Sequence, residues 1–268
     1  MTDPVATGTI GTRRERGVQF IEIQNPRRRN ALTREMFSSL AESLRAAVEA
    51  AEVRVIVIQS EGPAFCSGLD LTEFSSSQDE RADSIADLNR MLDTSARICT
   101  AISESRKPVI AAAQGPCVGI GTLIYLSCDL GFMTARTRLL LPQATIGAGY
   151  FGPILSKYLG PRRAKSLLLS PENFAIESAD AERWGLATAI YPPDGFHHRV
   201  REYAQALARR PAGWLQLQKE AADHYSASLS VREAIWAGAH FDTIAHSSQF
   251  ARSVAKNVID GADPAGGI

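Results

Sequence analysis

The sequence carries no surplus of charge: 29 Lys and Arg balance 29 Asp and Glu over 268 residues. A balanced chain sets up no net field to recruit nucleic acid or an anionic membrane surface, so neither is expected as a partner. Long hydrophobic runs are missing too. Stretches such as Leu123 to Leu126 are far too short to span a bilayer, and membrane insertion is not expected. Cysteine is scarce. The four residues at 66, 99, 117 and 128 form no CxxC pair and have no histidine at zinc-ligand spacing, which argues against a disulfide scaffold and a zinc module. Reduced, buried thiols of a cytoplasmic protein are the expectation. Metal ligation is not expected of the histidines, since His197, His198 and His224 lack a ligand-like partner in sequence. The start, MTDPVATGTIGTRRERG, lacks an apolar core segment and reads as a short arm over residues 1–15 rather than a secretory signal.

What is present is α/β patterning. Val18 to Ile23 reads as a strand ended by Asn25-Pro26, and Thr33 caps a helix with Met36, Phe37, Leu40, Leu44 and Val48 on one face. Buried strands follow at 54–58 and 109–112, with further strands near 130–133 and 139–141. Strands separated by helices predict an α/β core. From Gly152 onward the pattern reads as almost wholly helical.

Two glycine-bearing turns stand out. Gly62-Pro-Ala-Phe-Cys-Ser-Gly68-Leu69-Asp70-Leu71 leaves one core strand, and Gly115-Pro-Cys-Val-Gly119-Ile-Gly121 leaves another and opens an apolar helix. The second is a poor dinucleotide fingerprint, because position 124 is Ile where GxGxxG needs its third glycine. What remains is a helix N-terminus with unpaired N–H groups. One backbone donor from each turn would make a two-pronged oxyanion hole.

AFCSGLDL, followed by KPVIAAAQGPCVGIGTLIYLSCDL, resembles the paired signatures of the crotonase superfamily, the enoyl-CoA hydratase/isomerase family. NPRRRNALT and ERWGLATAIYP are similar to its opening and later motifs, so the likeness runs from about residue 16 to 220. It implies a crotonase-like spiral of ββα units over 16–205, a C-terminal helical trimerisation region over 206–268, and an acyl-CoA thioester as ligand. A homotrimer or dimer of trimers is implied, with no cofactor beyond the CoA moiety. Carried over residue by residue, the N–H groups of Leu69 and Ile120 match the two oxyanion donors, with Gly119 before the second. The family usually has Gly where Ile120 stands; Ile is tolerable there at negative φ and costly at positive φ. Ser67 and Leu69 flank the adenine site, and Arg28 and Arg29 offer guanidinium groups for phosphates, though a solvated basic turn is an equal reading. Near the C-terminus QFARSVAKNV departs from the family pattern, which puts a CoA contact by Lys256 in doubt.

The positions where the family's hydratases carry two glutamates read Leu123 and Gln143 here. Leucine carries no proton, and glutamine orients a water without accepting its proton. Loss of a positioned acid/base costs about 10²–10⁴ in rate, so efficient hydration is not expected. Tyr150 falls in a neighbourhood that resembles the one where the superfamily's methylmalonyl-CoA decarboxylases carry a tyrosine, and stands as a hydrogen-bond donor or as plain wall packing. Asp70 is read as serving its own loop rather than as a base, and Cys66 as a poor nucleophile without a nearby histidine. Two functions remain in view: a lyase or isomerase with non-classical acid/base chemistry, decarboxylase-like for example, and a non-catalytic acyl-CoA carrier or regulatory binder.

Overall fold

A computed structural model describes residues 8–70, 81–142, 151–170, 175–224 and 230–247. Its first sheet has the order β1-β2-β3-β4-β6-β9, formed by β1 (Thr9–Glu15), β2 (Val18–Gln24), β3 (Val55–Ser60), β4 (Val109–Ala113), β6 (Leu130–Thr134) and β9 (Ala189–Tyr191). Only β1 runs antiparallel to its neighbour. The second sheet, nearly all short segments, has the order β5-β7-β8: β5 (Pro116–Val118), β7 (Arg138–Leu140) and β8 (Ala175–Glu177). Strands β4 and β6 of the first sheet are followed within a few residues by β5 and β7 of the second, which is the spiral advance expected of ββα units.

Helices close both faces of the larger sheet. On one side Ile21, Ile23, Ile56, Ile58 and Ala111 pack with α1 (Arg34–Glu49), α2 (Arg81–Ser103) and α3 (Ile120–Ser127). On the other, Phe20, Val55, Val57, Ile110 and Phe132 pack against Phe196, Val200 and Ala204 of α6 (Phe196–Ala208). Burial on both faces explains why β3 and β4 read as unbroken apolar runs rather than alternating ones. Between α3 and α6 in sequence lie α4 (Gly152–Leu168) and α5 (Ser178–Arg183), and the described chain ends with α7 (Ala212–His224) and α8 (Val231–Ser247). Thr33 caps α1 as expected, its Oγ1 accepting from Met36 N–H at 3.2 Å.

Three expectations give way. Residues 9–15 of the expected arm are instead the edge strand β1, whose TRRE run exposes Thr12 and Arg14 and covers its inner face with the charged, half-buried Arg13 and Glu15, so it shows no apolar alternation. Its hairpin turns on Arg16 and Gly17, at φ 47° and 80°, a two-residue turn with both φ positive in which Arg stands where Asn or Asp is usual. The stretch after 152 is not wholly helical, because three-residue strands β8 and β9 finish the two sheets. Such short pairings leave no periodic trace in sequence. The boundary placed at 205/206 cuts α6, which packs on the sheet together with Leu215 of α7, so no unit separates there.

Candidate functional site

The site is assembled by three segments: the turn Pro26–Arg28 with Arg29 and Asn30, the loop after β3, and the turn between β5 and α3. Asn30 joins the first two. It is fully buried, at φ 60°, and its Nδ2 donates to the carbonyls of Glu61 (2.6 Å) and Ala64 (2.7 Å) while its Oδ1 accepts from Asn25 N–H (2.8 Å). Asn30 lies within NPRRRNALT, but the residue pattern assigns it no role of its own. The one available sign was an Asn after a basic run, and Asn tolerates the left-handed region.

The backbone of the loop is then tied to the arginine turn. Ser67 N–H donates to Arg29 O, Ser67 Oγ donates to Arg28 O, Leu32 N–H donates to Gly68 O at 2.8 Å, and Asp70 N–H donates to Leu32 O at 2.9 Å. The peptide bond is planar and trans, so Leu69 N–H points opposite to Gly68 C=O. Since that carbonyl faces Leu32, the Leu69 N–H faces away from it. Among the described residues this amide has no hydrogen-bond partner. Gly68 sits at φ 101°, and a Cβ there would lie 3.3 Å from Val118 O, so the loop passes directly under the β5–α3 turn.

That turn has a glycine for three different reasons. Gly115, at φ 63°, leaves no room for a Cβ, which would fall 1.9 Å from Pro63 O. Gly121 is packed against Cys66, whose carbonyl oxygen would stand 2.6 Å from a Cβ. Gly119 is conformational: it caps α3 at φ 55° and ψ −116°. Because Gly119 takes the strain, Ile120 is at ordinary φ, which resolves the concern over a side chain at this position. Gly119 O accepts from Leu123 N–H and opens the helix, so the Ile120 N–H points out of its N-terminus. This amide too has no partner among the described residues. The structure therefore brings Arg28, Arg29, Ser67, Leu69, Asp70, Gly119 and Ile120 into one neighbourhood of two touching loops with two unpaired donors. Gln143 and Tyr150, together with Lys256, lie outside the described residues.

No acid emerges from the glycine turn. Leu123 is fully buried in the main core. The first carboxylate downstream, Asp129, lies beyond the C-terminus of α3, about 12 Å along an eight-residue helix. It accepts from Val109 N–H at 2.7 Å and pairs with Lys219 of α7; burial raises its pKa. Asp70, buried, lies 2.8 and 2.9 Å through its two oxygens from Arg28 Nη1. His197, half-buried on α6, lies on the opposite sheet face, where burial lowers its pKa. Among the described residues no group of His, Cys, Asp and Glu is arranged to hold a metal.

All four cysteines are free and buried. Burial pushes the thiols of Cys66 and Cys99 up to about 12 and raises Cys117 and Cys128 as well. A raised pKa removes the reactive thiolate at neutral pH. The native protein at pH 8 is expected to leave all four unlabelled by a thiol reagent over minutes, and to expose all four in urea. Rapid native labelling at Cys66 would overturn this and reopen it as a nucleophile.

Residues 13–257 match the family model for enoyl-CoA hydratase/isomerase. Among curated relatives, the chain is 29% identical over 208 residues to the Mycobacterium tuberculosis protein named as enoyl-CoA hydratase echA6, covering 72% of this chain and 81% of that one. It is 31% identical over 211 residues to a Thermus thermophilus protein named as an enoyl-CoA hydratase, covering 76% and 79%. It is 26% identical to rat "Enoyl-CoA hydratase domain-containing protein 3, mitochondrial", of which the match spans only 64%. In shape it matches a Xanthobacter autotrophicus Py2 enoyl-CoA hydratase/isomerase structure with a TM-score of 0.83 over 94% of this chain and 93% of that one, at 22% identity, a likeness of fold alone. An enoyl-CoA hydratase structure from Mycobacterium avium subsp. paratuberculosis matches with a TM-score of 0.78 at 26% identity, over 94% and 99%.

Proposed function

The chain belongs to the enoyl-CoA hydratase/isomerase family, and on that premise we propose that it binds an acyl-CoA thioester and stabilises its enolate between the N–H groups of Leu69 and Ile120. The observation that carries this reading is the pair of unpartnered amides on two loops in direct contact. Polarising a thioester carbonyl stabilises the charge that develops when a bond at Cα is broken, and each such donor is worth ~2.7–4 kcal/mol in the transition state. Ser67 and the arginine turn lie beside the first donor, on the side where the nucleotide end of the ligand would run. Half-exposed Arg28 and exposed Arg29 give that end its cations.

The chemistry that follows is that of a lyase or isomerase rather than an efficient hydratase. Hydration needs a positioned base for water and an acid for Cα. At the two positions concerned the chain has Leu123, sealed in the core, and Gln143. Decarboxylation needs the enolate held but no protein base for the bond that breaks, and Tyr150 is the proposed hydrogen-bond donor to the substrate, with Gln143 orienting a water or carbonyl. Assembly as a homotrimer or dimer of trimers fits the exposed Trp214 and Leu217 of α7. A cytoplasmic location fits a chain in which no described helix is long and apolar enough to cross a membrane.

Incubation with crotonyl-CoA, malonyl-CoA and methylmalonyl-CoA, followed by mass spectrometry, tests the reading. Loss of CO₂ from a malonyl-type thioester with little hydration of crotonyl-CoA is the expected result. Fast hydration of crotonyl-CoA would overturn it. Binding without turnover across a wider acyl-CoA panel would assign the chain as a carrier instead.

A further inference from the structure

The Arg28–Asp70 pair occupies an unexpected place. Arg28 is a residue proposed to offer a cation to the nucleotide end of the ligand, yet its Nη1 is 2.8 and 2.9 Å from the two oxygens of Asp70. Asp70 immediately follows Leu69. Its side chain is 6% exposed, whereas that of Arg28 is 42% exposed. A carboxylate buried to this degree needs a compensating cation, and Arg28 supplies one, which links the two side chains into a unit. The unit spans the peptide that matters: Gly68 O and Asp70 N–H are both bonded to Leu32, and Ser67 to Arg28 and Arg29. Leu69, between these anchors, has no backbone bond of its own to hold it. Its amide direction is inherited from its neighbours.

We propose that Arg28 and Asp70 are positioning residues for the Leu69 N–H, so that the cation at the nucleotide end of the site also sets the aim of the oxyanion donor. The inference rests on the proposed oxyanion reading. A phosphate contact and a positioning role differ in what they predict. Arg28 acting only on phosphate would matter only for a ligand that carries phosphates, and Asp70 would then matter only for that same ligand, through Arg28. Arg28 acting through Asp70 matters for any thioester in the hole, and the two residues are then not additive.

The test compares an acyl-CoA with the same acyl group on pantetheine, which carries no phosphate. The readouts are turnover of whichever substrate the acyl-CoA panel identifies and the infrared stretch of a ¹³C-labelled thioester carbonyl, which falls when the oxygen accepts hydrogen bonds. Arg28→Gln and Asp70→Asn are each expected to move the carbonyl stretch of the bound pantetheine thioester back toward its free value. Each should also lower kcat roughly tenfold with little change in its KM, the signature of an interaction lost from the transition state. The double variant is expected to be no worse than either single one, and Arg28→Lys, which keeps the charge, to recover part of the loss. A wild-type protein that binds the thioester without shifting its carbonyl would overturn the oxyanion reading and this inference together. A wild-type shift that persists in Arg28→Gln and Asp70→Asn would overturn this inference alone. A rise in KM for acyl-CoA only, with the pantetheine thioester unaffected in both variants, would do the same and leave Arg28 as a phosphate contact.

Discussion

Asn30→Leu is expected to cost about 4–5 kcal/mol, a large part of the 5–15 kcal/mol that holds an ordinary domain folded. The side chain deleted is at zero exposure and makes three hydrogen bonds. Ala64 O keeps a second donor in Ser60 Oγ at 3.1 Å, which softens one of the three losses. Asn25 N–H, buried, and Glu61 O, only part-buried, lose the side-chain partner, and a buried polar group left unpaired costs about 1–3 kcal/mol, the carbonyl less. Leucine must also adopt φ near 60°, which adds ~1–2 kcal/mol for a side chain with Cβ crowding. Asn30→Gly separates the two causes, since glycine accepts the backbone angle and loses only the bonds. The Gly variant is expected to lie about 1 kcal/mol or more above the Leu variant in a urea unfolding series. An Asn30→Leu protein within 1 kcal/mol of wild type would show that the arginine turn is held by something other than this side chain.

The position of Asn30 also marks the limit of what sequence patterning reveals. Where burial leaves a period, the reading and the structure agree: the α1 face, the apolar runs of β3 and β4, and the cap at Thr33 follow from local chemistry. The two glycine turns were legible for a different reason, because glycine reports backbone demands that no other residue meets. The separate duties of Gly115, Gly119 and Gly121 needed coordinates, since a clash with Pro63 or Cys66 depends on segments some fifty residues away in the chain. The edge strand β1 was hidden because charged Arg13 and Glu15 stand on its half-buried face where apolar residues would signal a strand, and β8 and β9 because three residues hold no period. The Arg28–Asp70 pair joins residues whose adjacency is set by the Leu32–Leu69 bridge, so neither residue's neighbours in sequence could announce it.

Ile120→Pro is the sharpest test of the chemistry, because it deletes one N–H and little else of the backbone. Ile120 is the first residue of α3. Proline is well tolerated there: its fixed φ suits a first helical turn, and the missing N–H is one that the helix itself does not use. The preceding Gly119 is already outside the helical region at ψ −116°, so the restriction that proline imposes on its predecessor meets no α-helical residue. On the substrate identified by the acyl-CoA panel, kcat is expected to fall about 10²–10³-fold, the typical cost of one oxyanion donor. The bound thioester carbonyl is expected to lose much of its infrared shift. Ile120 is also nearly buried, so Ile120→Ala is the necessary companion: it removes the side chain and keeps the N–H. The alanine variant should retain the carbonyl shift even where packing lowers stability, because the shift reads the amide and not the core. Equal shifts in the proline and alanine variants would remove Ile120 from the hole. The helix N-terminus would then be left with the packing role that its glycines already perform.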